Sequence, residues 1–105
     1  MPKVKLTIVK RAAYQELIDT YINKDRPQEF GACEKFKDGQ KFVIEGFPGM
    51  PDEFPCDWAW SDIQRDVAMI MFDGNPPWMK EPGTAVACCS DGLRPVSFLI
   101  QRIEE

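Results

Sequence analysis

With 105 residues, 44% of them apolar and 29% charged, the chain has the size and mix of one soluble domain, 1–105, able to bury a core without disulfide support. No apolar run approaches the roughly 18 residues of a membrane span, and no repeat or low-complexity tract breaks the chain. The net charge is −4, with nine Lys and Arg against eight acids over residues 1–52 and four against nine beyond; that scatter offers no dense cationic footprint for phosphates and argues against nucleic acid as a partner.

The opening MPKVKLTIVKR interleaves apolar residues with Lys and lacks the unbroken apolar stretch of a secretory signal, so it reads as structure and the expected location is cytoplasmic. From Lys3 to Lys10, Val4, Leu6 and Ile8 alternate with Lys3, Lys5 and Thr7, the period of a half-buried strand. From Ala12 to about Asn23, Ala13, Tyr14, Leu17, Ile18, Tyr21 and Ile22 recur at three- and four-residue intervals, which predicts an amphipathic helix. Asp25-Arg26-Pro27 should end it, because a residue before proline is pushed out of the helical region. A loop is expected to follow to about Glu34.

In KFKDGQKFVIEG, residues 35–46, the Asp38-Gly39 pair between Phe36 and the alternating Phe42 and Ile44 predicts a tight hairpin leading into a strand over Gln40 to Glu45. Residues 46–56, with Pro48, Pro51 and Pro55, predict an irregular connection of the length that often lines a site. A second helix is expected from Trp58 to about Phe72, capped by Asp57 or through Ser61 and Gln64. Its apolar stripe is Trp60, Ile63, Val67, Ile70 and Met71, widened by Ala59, Ala68 and Phe72. Asp73-Gly74 should end it, with Pro76-Pro77 barring continuation. A loop carrying Trp78 then leads to a strand over Thr84 to Ser90, a turn at Asp91-Gly92, and a last strand over Arg94 to Ile103. The order strand, helix, strand, helix, hairpin indicates an α+β fold. It implies a mixed or antiparallel sheet of four to five strands, open or curled into a partial barrel, packed on a central Trp/Met-rich helix with a second amphipathic helix.

The chain has no histidine, which removes the Ser-His and Cys-His nucleophile pairs. Its glycines never take the spacings of a phosphate-binding loop, and no carboxylates pick themselves out as an acid/base pair. Four cysteines remain: Cys33, Cys56, Cys88 and Cys89. In the cytoplasm they should be reduced. Their intervals, long, long and adjacent, do not suit a metal knuckle, and in a strand Cys88 and Cys89 would point to opposite faces, so no metal ligands are assigned. One of that pair is expected to pack as a small hydrophobe beside the helix carrying Trp58 and Trp60.

Cys56, beside the start of the second helix, sits where unpaired backbone N–H groups favour a thiolate, although the Asp57 carboxylate works against it. Arg94 could hold an anionic ligand or pair with a structural carboxylate. Trp78 could cover a pocket or pin its loop to the core.

The segments CDWAWSDI (56–63), GNPPWM (74–79) and CCSDGLRPV (88–96) resemble those that recur in a family of small prokaryotic proteins, frequent in anaerobes, to which no activity is attached. The resemblance implies that Cys56, Trp58, Trp60, Trp78, Cys88, Asp91, Gly92, Arg94 and Pro95 belong to a shared pattern. It implies no reaction, cofactor or substrate. Two expectations follow from the residues. The first is a cysteine-centred site of Cys56, Cys88 or Cys89, and Arg94, with Asp91, Trp58 and Trp78 as further binding residues. It would serve thiol redox chemistry or bind a metal or small anionic ligand. The second is an accessory domain without chemistry, whose Trp-rich loops at 46–56 and 74–83 bind a protein partner.

Overall fold

The computed structural model describes residues 2–25 and 31–103. Six elements follow in the expected order: β1 (Lys3–Arg11), α1 (Gln15–Tyr21), β2 (Lys41–Glu45), α2 (Asp57–Met71), β3 (Thr84–Cys88) and β4 (Val96–Ile103). The four strands form one open sheet in the order β2-β1-β4-β3, antiparallel throughout. It does not close into a barrel.

Strand alternation sets the core. Leu6 lies opposite Phe42 on one side and Ile100 on the other, and Ala85 continues that row. Ile8, Phe98 and Ala87 form the next row. Against this face α2 lays Ala59, Ile63, Val67, Ile70 and Met71, all buried. Their four- and three-residue spacing is the apolar stripe of a helix on a sheet. A register shift between Ile8 and Lys10 leaves Val9 as the extra residue of β1, and Val9 is exposed.

Several local expectations give way to better-satisfied backbones. The first helix is shorter than Ala12–Asn23, because Ala12 donates its N–H to Pro95 O and Tyr14 to Leu93 O. That chain is still pairing where a helix was expected. Of the apolar stripe of α1 only Ile18 is buried, while Tyr14, Leu17 and Tyr21 are exposed. The predicted stop at Asp25-Arg26-Pro27 extends beyond the described residues.

Asp38-Gly39 does make a turn, with Gly39 at φ 78° and Gln40 donating to Lys37 O. It does not join two strands of a hairpin, however, because β2 pairs with β1 and Phe36 drops into the core. The loop at 46–56 is anchored rather than loose. Gln64 Nε2 donates to Pro48 O at 3.1 Å, and Phe54 is buried with its ring 5.4 Å from Phe36 and 5.5 Å from Trp60.

At its C-terminus α2 ends one residue earlier than expected, and Phe72 is exposed instead of widening the apolar stripe. Asp73, not Gly74, takes the left-handed conformation, with φ 70°, while Gly74 N–H donates to Met69 O at 2.8 Å. Gly74 is required for a different reason: a Cβ there would lie 2.5 Å from Met69 O.

Candidate functional site

The N-terminus of α2, the β3–β4 connection and the segment 31–36 meet at the end of the sheet where β4 begins. They enclose a cleft of about 750 Å³. Its walls include Cys33, Cys56 and Cys89, together with Trp58, Asp62, Asp91 and Arg94. Three of the four cysteines, drawn from three separate segments, therefore face one space, and all four are free thiols.

Cys56 itself is the N-cap of α2, in place of Asp57 or Ser61, and its sulfur accepts the Ala59 N–H at 3.5 Å. Proline at 55 and an extended φ of −142° at Cys56 bring the chain in from the irregular loop and leave the first-turn N–H groups without helical partners. A sulfur can then take one of them.

Cys89 lies one residue past β3 and still pairs with β4: its N–H donates to Val96 O at 3.1 Å, and its sulfur accepts the Val96 N–H at 3.3 Å. Cys88 lies opposite Ser97, one step from the inward Ala87–Phe98 pair, so alternation turns it to the other face of the sheet. It is exposed and does not line the cleft. Of the adjacent cysteines the cleft thus takes Cys89, whereas Cys88, named beside it as a candidate, lies outside. Trp78 also lies outside the lining, 79% exposed on its own loop.

The connection 89–95 is held from three sides, and it is longer than the two-residue turn expected of Asp91-Gly92. Asp91 Oδ1 accepts the N–H groups of Leu93 at 2.8 Å and Arg94 at 2.9 Å, the local turn that aspartate forms with its own backbone. From α2, Asp62 Oδ2 accepts the Ser90 N–H at 2.7 Å. From the other side the backbone of Ala12 and Tyr14 holds Pro95 and Leu93. Cys33 is placed through its carbonyl, which accepts from Arg11 Nη1 at 2.8 Å while Arg11 Nε reaches Asp38 Oδ1 at 3.0 Å. That pairing lowers the Asp38 carboxyl below its ordinary value, mainly through the hydrogen bond from Arg11.

Arg94 Nε lies 3.7 Å from Asp91 Oδ2, so the arginine serves the turn and the cleft wall at once. Partial burial works against a charged Asp91. The N–H groups of Leu93 and Arg94 and the Arg94 guanidinium outweigh it, and the carboxyl titrates below its ordinary value of 3.8. With the folded value depressed, the turn gains stability from the ionised carboxylate above the ordinary value and loses it as pH falls through the folded one. In an NMR titration, the amide resonances of Leu93 and Arg94 should accordingly move with a midpoint below 3.8. A midpoint above that value would contradict the hydrogen-bonded turn.

The sequence pointed to Cys56, Trp58, Asp91, Arg94 and, as the alternative to Cys88, Cys89, and the fold brings these five together. It missed Asp62, and it gave Cys33 no place in the site. Among the described residues no group of three or more His, Cys, Asp or Glu side chains is placed to hold a metal ion, and no helix there is long and apolar enough to cross a membrane.

No protein-family model, curated protein or solved structure matches the chain.

Proposed function

We propose that the cleft is a thiol-centred site for a small organic ligand in a reducing compartment such as the cytoplasm. Cys56 is the nucleophile, and Arg94 steadies an anionic group. The observation that carries this is the convergence of Cys33, Cys56 and Cys89 on one cleft from segments far apart in the chain. A thiol reacts as its anion, and the sulfur of Cys56 stands at the start of a 15-residue helix with a backbone N–H directed at it. Such donors favour negative charge on the sulfur as it attacks. Trp58 gives the wall an exposed aromatic plane, and Asp62 and Asp91 already accept backbone N–H groups. Those bonds fix the β3–β4 connection against α2, and the thiols and the Arg94 guanidinium border the cleft beside it.

The anionic preference is tested by alkylating the reduced protein with iodoacetate and with iodoacetamide and mapping the products. The ratio of the two rates at Cys56 should exceed that at Cys88 by about 3- to 10-fold, the scale of a single nearby charge in a partly buried site. Arg94→Gln should abolish the difference and Arg94→Lys should restore part of it. Equal ratios at Cys56 and Cys88 in the parent protein would remove Arg94 from the site.

A second role is favoured by the exposure of Trp58 (84%), Trp78 (79%) and Phe47 (76%): binding of a protein partner by the aromatic loops. Tryptophan is enriched where binding energy concentrates. Trp58 belongs to both proposals, whereas Trp78 and Phe47 belong only to this one.

A further inference from the structure

Cys56 and Cys89 differ from the other two cysteines in one respect: each sulfur accepts a backbone N–H, from Ala59 and from Val96. Both donors belong to residues that line the cleft. Exchange between thiols and disulfides passes negative charge from the attacking sulfur to the leaving one, so donors at two sulfurs favour charge in both places. Both cysteines also stand at element ends, Cys56 at the loop-to-helix junction and Cys89 just past β3. Both line the same cleft, Cys56 from the start of α2 and Cys89 from the β3–β4 connection, so a molecule bound there is bordered by both cysteines.

We propose that Cys56 and Cys89 form a redox pair whose substrate is a low-molecular-weight disulfide. This rests on the thiol-centred cleft described above and assigns its substrate class. The Cys56 thiolate attacks one sulfur of the small disulfide, forming a mixed disulfide and expelling the first small thiolate. The Cys89 thiolate then attacks Cys56 Sγ, forming the Cys56–Cys89 bond and expelling the second. The two protein thiols lose two protons and two electrons in all, and the small disulfide takes them up to become two small thiols. Trp58 supplies an apolar wall for the carbon part of the substrate, and Cys88, on the other face of the sheet, takes no part.

The test uses hydroxyethyl disulfide, a neutral probe that does not depend on Arg94, added in slight excess to the fully reduced full-length chain. Intact-mass and peptide mapping follow the products. The expected course is a transient adduct at Cys56, then a species lighter than the reduced chain by two hydrogens, in which the Cys56 and Cys89 peptides are joined. In Cys89→Ser the adduct at Cys56 should persist, and in Cys56→Ser the cleft should take up probe about tenfold more slowly or worse. A lasting adduct at Cys56 of the parent protein overturns the pairing while leaving the nucleophile in place. A bond from Cys56 to Cys33 overturns the assignment of Cys89. Probe uptake at Cys88 ahead of Cys56 overturns the thiol-centred site together with the pair. Mapping of the parent protein decides the matter even where a serine variant fails to fold.

Discussion

Replacing Phe98 with Ala is expected to lower the unfolding free energy by about 3–5 kcal/mol, the range for deleting a buried aromatic side chain. Phe98, the third residue of β4, is wholly buried. Its ring lies 5.3 Å from Phe36 at nearly a right angle and 6.0 Å from Phe54. Edge-to-face packing of this kind adds to the loss of buried area. A domain of this length has about 5–15 kcal/mol in total, so the variant should lie close to its unfolding midpoint under mild denaturant. Because Phe36 also lines the cleft, the cavity left behind opens beneath the thiols, and the damage should extend to them. Phe98→Leu, which refills most of the volume, should cost markedly less. Urea unfolding of the two variants checks this: similar losses for Ala and Leu would mean that the ring contacts, and not the filled volume, carry the effect.

The second large effect is expected at Arg102, far from the cleft. Its Nη1 donates to Ile70 O at 2.7 Å and to Gly74 O at 3.0 Å, and its Nη2 donates to Asn75 Oδ1 at 2.9 Å. The same Asn75 oxygen accepts the Gly83 N–H at 2.7 Å. One guanidinium from β4 thus satisfies carbonyls at the C-terminus of α2, where a positive charge also suits the helix dipole. Arg102→Met keeps most of the chain length and leaves these acceptors unmet. A loss of about 2–3 kcal/mol is expected, since hydrogen bonds from a charged donor are worth more than neutral ones and do not simply add. Arg102→Lys should recover only part of it, because an ammonium cannot copy the planar fork. Equal stability of the Met variant and the parent would show that solvent serves these carbonyls as well as the arginine does.

Much of the fold was legible because its core follows two simple periods. The alternation of Val4, Leu6 and Ile8 and the spacing of Ile63, Val67 and Ile70 each mark one buried face, and those faces meet. What escaped was decided by contacts distant in sequence. The stripe of α1 has a helical period, but periodicity does not say what covers it, and only Ile18 is buried. Backbone pairing with the 93–95 segment claims residues 12–14 for β1's continuation, a preference that helix propensity cannot register. At the site, Cys56 was legible from its place beside a helix start. The choice between Cys88 and Cys89 was also within reach, since alternation from inward Ala85 and Ala87 carries on to Cys89. Asp62 was hidden because its partner Ser90 lies 28 residues away. On the helix it reads as one more solvated carboxylate.

The central claim, that the fold gathers reactive thiols in one cleft, is tested most directly by measuring the alkylation rate of each of the four cysteines in the native, reduced protein with iodoacetamide. Exposure alone ranks Cys88 first, since it is exposed and the other three are only partly so. The cleft predicts instead that Cys56 reacts ahead of Cys88 in the folded protein, and that the four rates converge in concentrated urea. Reaction in the order of exposure, with Cys88 fastest and Cys56 unremarkable until the chain unfolds, would contradict it.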